Sequence, residues 1–135
     1  MSLSRSVARK RVMIILYQIL LYEKNDIKYE IDDVIKENIE EEDNYISNSV
    51  HGIINNKENI IEVANNYLGT WPFNRLGLTD QAILLIGTYE LMYTDVPDKV
   101  AINEAIELSK LFSDDAVRRI INATLDNIYH NELEK

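Results

Sequence analysis

The sequence predicts an all-α protein of about seven helices, on three observations. Four glycines and two prolines in 135 residues are too few turn-formers for a many-stranded sheet. No segment alternates apolar and polar residues with period two, whereas several runs repeat at spacings of three and four. Hydrophobic residues make up 46% and charged residues 27%, the composition of a folded chain rather than a disordered one. At about 150 residues per domain this is a single domain. A chain of this size buries roughly two-thirds of its unfolded surface, so a real core is available.

The first helix is predicted over residues 4–23. Its start is polar and basic. From residue 12 to 22 no charge occurs and apolar residues run nearly all round, so this helix is expected at the centre of the fold, surrounded by others. A bilayer span takes about 20 apolar residues, and this run is far shorter. No small-residue cleavage site follows it, so neither a membrane span nor a secretory signal is expected and the protein reads as cytoplasmic. Residues 29–39 read as a short second helix, with Ile31, Val34, Ile35 and Ile39 at helical spacing. Glu40 to Asp43 form an acidic run. It could hold a cation or a basic partner, but reads better as a solvated loop leading into the acidic first turn of the next helix.

Ile46, Val50, Ile53 and Ile54 form the stripe of a third helix. Gly52 sits inside it at a cost of about 1 kcal/mol relative to alanine, which predicts a close helix–helix contact. Asn55-Asn56 marks a break. Ile60, Ile61, Ala64, Tyr67 and Leu68 make a fourth helix, with Gly69 as its stop. The loop 69–77 divides the chain into halves, and its Trp71, Phe73 and Leu76 are expected to be buried. Thr79 is expected to cap a fifth helix whose stripe is Ala82, Leu85, Ile86, Tyr89, Met92 and Tyr93. Asp95-Val96-Pro97 ends it. A sixth helix is predicted over 99–111, carrying Ile102, Ala105 and Ile106 with Phe112 at its end. Ser113 or Asp114 caps a seventh, with Val117, Ile120, Ile121, Thr124, Leu125 and Ile128 as its stripe.

Little in the chain points to catalysis. There is no cysteine, which excludes disulfides, zinc–thiolate sites, iron–sulfur clusters and thiol chemistry. His51 and His130 stand alone, without a metal-binding spacing, and His51 reads as a surface or satisfied core histidine. No glycine-rich phosphate loop and no Gly-x-Ser-x-Gly elbow occurs. The carboxylates are scattered. No enzyme activity, cofactor or metal is expected.

Binding is the better hypothesis. A net charge of −9 argues against nucleic acid, but its distribution does not. Arg5, Arg9, Lys10 and Arg11 crowd the first eleven positions, where none of the 23 acids falls. Arg5 and Arg9 are i, i+4 neighbours on one helix face, and Lys10 and Arg11 extend the charge around it. The arginine fork suits phosphate. Arg118 and Arg119 open the last helix as a second basic pair. If the two helix N-termini lie side by side, they make one cationic face. The plainer reading is a solubilising helix end. Eight tyrosines offer base-stacking surfaces, although Tyr17, Tyr67, Tyr89 and Tyr93 sit on apolar stripes and read as core.

Four sets of residues stand in order along nearly the whole chain. The first is Arg5-Ser6-Val7-Ala8-Arg9, running on to Leu16-Tyr17-Gln18. The second is Asp80-Gln81-Ala82-Ile83-Leu84, followed by Tyr89-Glu90-Leu91. The third is Asp95-Val96-Pro97, then Val100-Ala101-Ile102-Asn103-Glu104-Ala105-Ile106-Glu107-Leu108-Ser109-Lys110. The last is Asn122-Ala123-Thr124-Leu125-Asp126. Together they resemble the NusB family of bacterial transcription antitermination factors, and the Val-Ala-Ile-Asn-Glu-Ala block is the most specific. The resemblance implies two packed helical subdomains, about 1–70 and 71–135, forming one RNA- and protein-binding domain without catalysis. It implies binding of the boxA element of ribosomal RNA leaders together with NusE, a small-subunit ribosomal protein. The complex then joins RNA polymerase with other Nus factors and lets the polymerase pass terminators.

By this resemblance Arg5 and Arg9 fall on positions that contact RNA, as does Tyr17. Arg119 falls on a basic position beside the RNA face, and Lys10 and Arg118 complete the candidate set. Asp80 matches an acidic position near the RNA and NusE surfaces. There are departures from the family pattern. Ser6 and Val7 interrupt the arginine-rich start. Ile120 replaces an aromatic, Ala123 a glycine, and Leu85 an arginine. RNA affinity from this chain alone is therefore expected to be weak, with NusE supplying charge; each lost phosphate contact flattens the salt dependence by about one unit of log–log slope. Asn103 and Glu104 read as structural, Asn103 through a bond to the Pro97 loop and Glu104 through a first-turn dipole contact. Two other readings stay open: an RNA-binding module of a ribosomal RNA methyltransferase, and a protein-interaction bundle that no longer binds RNA. A homodimer burying the basic face is also left open.

Overall fold

The computed structural model describes residues 3–133, and among them the backbone forms seven α-helices and no strand. These are α1 (Arg5–Lys24), α2 (Ile31–Asn38), α3 (Asn44–Asn55), α4 (Lys57–Tyr67), α5 (Leu78–Tyr93), α6 (Asp98–Phe112) and α7 (Asp115–Ile128). A short 3₁₀ turn, Phe73–Arg75, precedes α5, and a π-helical turn, Tyr129–Leu133, follows α7. None of the described helices is long and apolar enough to cross a membrane.

Side-chain caps set three of the starts. The Ser4 hydroxyl accepts the Val7 N–H, the Asp43 carboxylate accepts the Ile46 N–H, and the Asp114 carboxylate accepts the Val117 N–H. The acidic run thus ends as a helix cap. Gly69 follows α4 with φ of 71°, a left-handed conformation that glycine adopts without the Cβ penalty. Thr79 does not cap α5: the helix begins at Leu78 with Gly77 at the cap, which places Thr79 inside the first turn.

The helix packed on every side is α5. Every residue from Gln81 to Thr88 is buried, and α5 packs against α1, α3, α4, α6 and α7. The expectation gave that place to the first helix. α1 does bury a broad stripe of Ala8, Val12, Ile15, Leu16 and Ile19, but it keeps a solvent side at Val7, Lys10, Tyr17 and Leu21. A small residue contributes to the difference, because Gly87 lets neighbours approach α5 closely. A Cβ on Gly87 would stand 2.9 and 3.0 Å from the Leu125 methyls and 3.2 Å from the Ala105 Cβ. Gly52 marks the close contact expected of it, since a Cβ there would overlap the Tyr89 hydroxyl.

The loop before α5 divides differently than expected. Phe73 and Leu76 are buried, but Trp71 is 49% exposed. The Phe73 N–H is held by Asn65 Oδ1 at 2.8 Å, and Gln81 Nε2 donates to the Leu76 carbonyl at 2.9 Å. These bonds turn Phe73 and Leu76 inward, and Trp71 lies before the turn they close.

Gly87→Ala should cost about 1–3 kcal/mol by overpacking, outweighing the ~1 kcal/mol that alanine contributes to a helix. Urea unfolding measures this; an unchanged or raised midpoint would show that Leu125 can yield without loss.

Candidate nucleic-acid interface

The basic start of α1 is anchored by an ion pair in the interior. Arg9 is 3% exposed and Glu90, on α5, is 1% exposed. Arg9 Nε donates to Glu90 Oε1 at 2.7 Å and Nη2 donates to Oε2 at 3.1 Å, a two-pronged arrangement. The Tyr45 hydroxyl on α3 donates to the same Oε2 at 2.9 Å. Arg9 Nη1 reaches Glu104 Oε1 on α6 at 3.3 Å, and the Ser6 hydroxyl donates to that oxygen at 2.9 Å. Four helices thus meet at one polar cluster. Burial works to lower the Arg9 pKa, but the hydrogen bond and charge of Glu90 outweigh it and raise the pKa above its usual value. Burial first, and then the Glu90 charge, push the Tyr45 phenol up, so it stays protonated and remains a donor.

Arg5 and Arg9 do share a face of α1, the one over Tyr45, but they lie at different depths. Arg9 is committed to Glu90 and cannot meet a phosphate without breaking that pair. Arg5 is exposed, with its Cζ 4.2 Å from the centroid of the Tyr45 ring. Lys10 is exposed and borders a shallow groove between α1 and α6, with Val7 opposite Leu111. Arg11 is exposed too, but lines a depression with Glu37 and the 40–43 acids, which offset its charge. Tyr17 is 39% exposed on the solvent side of α1, so it is not a core residue. Tyr93 is also exposed, stacked on Tyr89 with 5.7 Å between centroids.

The second basic pair is divided as well. Arg118 pairs with Asp115 at 2.8 Å, while Arg119 is exposed. Asp80 is half-buried and accepts a hydrogen bond from the Ser113 hydroxyl, which pins the α6–α7 turn to the start of α5. The α7 N-terminus therefore lies at the first turn of α5, and the α1 N-terminus near its last turn at Glu90. Ten residues of helix separate Asp80 from Glu90, about 15 Å at 1.5 Å per residue. On α1, Val7 and Lys10 line a groove with Leu111, two residues before Ser113. A ligand touching both must run along the outer side of α1 and the end of α6.

Glu104 has a larger role than expected. It lies beyond the first turn of α6, and it is an acceptor for Ser6 and Arg9 rather than a dipole partner. Asn103 is exposed, with no side-chain hydrogen bond to the Pro97 loop. Glu90 and Tyr45 are the site residues that the sequence did not single out. Glu90 had a legible signal, being the lone charge between residues 81 and 94 in a run otherwise fit for the interior. Tyr45 had none, because its partners are distant in the chain. His51 pairs with Asp32 at 2.7 Å, and no group of three metal-ligating side chains occurs among the described residues.

The sequence and the fold both match known proteins. A family model described as the NusB family matches residues 6–130. The transcription antitermination protein NusB of Bacillus cereus (strain B4264) is 36% identical over 127 residues, 93% of this chain and 97% of that protein. The protein of the same name from Lactococcus lactis subsp. lactis (strain IL1403) is 48% identical over 84 residues, 62% of this chain and 44% of that protein. Among solved structures, T. maritima NusB superposes with a TM-score of 0.82 at 26% identity, covering 97% of this chain and 94% of that one. A chain from a crystal structure of antitermination factors NusB and NusE in complex with double-stranded RNA shares the fold, with a TM-score of 0.78 at 21% identity over 93% and 96% of the two chains.

Glu90→Gln strands a buried guanidinium and should cost about 3–5 kcal/mol. Arg9→Met with Glu90→Leu should cost much less, since both charges leave together; urea unfolding of the two variants reads the contrast, and equal losses would contradict it. The tyrosines set an alkaline limit. Burial and then Glu23 push Tyr29 up to about 12, and Tyr45 is also raised. A raised phenol adds stability that is fully present below the unfolded pKa of about 10 and is lost as the pH rises through the folded value. The urea midpoint should therefore fall between pH 9 and pH 12, with a late phenolate phase in the absorbance titration; all eight tyrosines titrating together near pH 10 would contradict this.

Proposed function

The chain belongs to the NusB family, and on that premise we propose that it is a transcription antitermination protein that binds boxA-type RNA together with NusE, the small-subunit ribosomal protein. One observation carries the RNA reading. In a chain of net charge −9, α1 presents Arg5 and Lys10 to solvent, each without an ion pair among the described residues, and an exposed Tyr17 stands farther along the same helix. Cations for the backbone beside an aromatic face for a base are what single-stranded RNA recognition uses. Arg119, with Arg118 behind it, extends the positive charge to the far end of the face. Arg9 supports the face from beneath.

Asp80 is the candidate residue for NusE. Its bond to Ser113 fixes the α6–α7 turn, and a basic partner could engage its remaining acceptor capacity. The acidic body disfavours RNA at long range, so NusE must supply much of the attraction. The joint complex then acts on RNA polymerase with other Nus factors, in the cytoplasm, as a binding device without catalysis of its own.

The test is binding of a short boxA-type RNA at two salt concentrations, with and without NusE. Tight, sequence-selective binding is expected from the joint complex, and weak binding from the chain alone. Lys10→Gln and Arg119→Gln should each weaken the complex and flatten its log–log salt dependence by about 0.7. Retention of NusE with no RNA bound in either case would make the chain a protein adaptor and its basic start a solvated helix end.

A further inference from the structure

Arg5 occupies the exposed first turn of α1, yet its guanidinium is not loose. Its Cζ sits 4.2 Å from the centroid of the Tyr45 ring, well inside the about 6 Å over which a ring's quadrupole attracts a cation. That ring is itself fixed. Its hydroxyl donates at 2.9 Å to Glu90 Oε2, and Glu90 is clamped by the two-pronged Arg9 contact. Donation to a carboxylate shifts electron density into the phenol ring, which strengthens its hold on the cation above. A cation–π contact uses no hydrogen-bond acceptor, so it leaves guanidinium N–H groups to be satisfied elsewhere. Arg5 is exposed and no described carboxylate pairs with it, although the chain carries 23 acids. An arginine held in place with free N–H groups is preorganised for hydrogen bonds to an oxyanion.

We propose that Tyr45 is a positioning residue of the RNA site: it holds the Arg5 guanidinium over its ring at the start of α3 and so presents the arginine's free N–H groups to an RNA phosphate, without touching the RNA. This rests on the reading of Arg5 as a phosphate contact. Stacking removes side-chain freedom before the ligand arrives, so less is lost on binding. It also gives the buried Arg9–Glu90 pair a link to the surface, because Glu90 orients the ring that orients Arg5.

The experiment is a double-mutant cycle on the full chain with NusE, read by equilibrium binding of a boxA-type RNA. The variants are Arg5→Gln, Tyr45→Leu, their combination and Tyr45→Phe, each checked by thermal melting. Tyr45→Leu should weaken binding by about three- to tenfold, the range of a partly exposed cation–π contact. It should change nothing further once Arg5 is glutamine. Tyr45→Phe keeps the ring but loses the Glu90 bond that fixes it, so its loss should fall between the parent and Tyr45→Leu. An equal loss from Tyr45→Leu in both backgrounds, or no loss in either, overturns the positioning role while leaving Arg5 as a contact. No effect of Arg5→Gln overturns the contact itself, and the positioning role with it. Should Tyr45→Leu not fold, the parent's proton spectrum decides. The Arg5 side-chain protons should be displaced upfield by the ring, and ordinary shifts for them would overturn the proposal.

Discussion

The architecture depends on one desolvated ion pair. Arg9 and Glu90 sit where ions are costly, and their attraction repays the loss of water only because the geometry is two-pronged and the spare acceptors are filled by Tyr45 and by Arg9 itself. Such a pair adds little net stability over a well-packed apolar one, but it specifies an arrangement sharply. A shift of α1 along α5 would leave a naked charge in the interior, a penalty that no other contact at the seam could offset. The pair therefore sets the register of the two helices, and Tyr45 and Glu104 carry that register to α3 and α6.

The binding face follows from this register. With Arg9 turned inward, the outward side of the same helix shows Val7, Lys10, Tyr17 and Leu21, and Arg5 sits over Tyr45 at its start. Charge at the N-terminus of α1 is thus sorted by depth into a cation that organises the fold and cations that meet solvent. Arg11 is damped by the acidic loop beside it, and Arg118 by Asp115. What remains is a narrow positive strip on an acidic body, suited to assisted binding rather than to capture of RNA by charge alone.

The helical class and the element order were legible because several stripes repeat with the helical period, and Gly52 announced a close contact that Tyr89 supplies. Depth was harder to read. Arg9 looked like Arg5 because both are arginines on one face, and only the three-dimensional placement of Glu90 separates them. The clue was present in reverse, as a lone glutamate in the apolar run of α5. An apolar run was likewise a poor guide to centrality. α1 is rich in isoleucine and leucine yet keeps a solvent side, whereas α5 takes the centre, with Gly87 allowing α6 and α7 to close in. Trp71 and Tyr17 misled in the same way, since a large aromatic side chain favours burial without requiring it. The meeting of the α7 start with the first turn of α5 could not be read from sequence, because it depends on the Ser113–Asp80 bond across 33 residues.

The most direct test of this division of labour is the arginine Nε–Hε spectrum of the chain in complex with NusE, recorded before and after a boxA-type RNA is added. The account predicts that the Arg5 signal moves and that the Arg9 signal, held by Glu90, stays in place and remains protected from exchange with water. Movement and loss of protection at Arg9, with Arg5 unchanged, would contradict it: the buried pair would then open on binding, and Arg9 would be an RNA contact rather than the anchor of the fold.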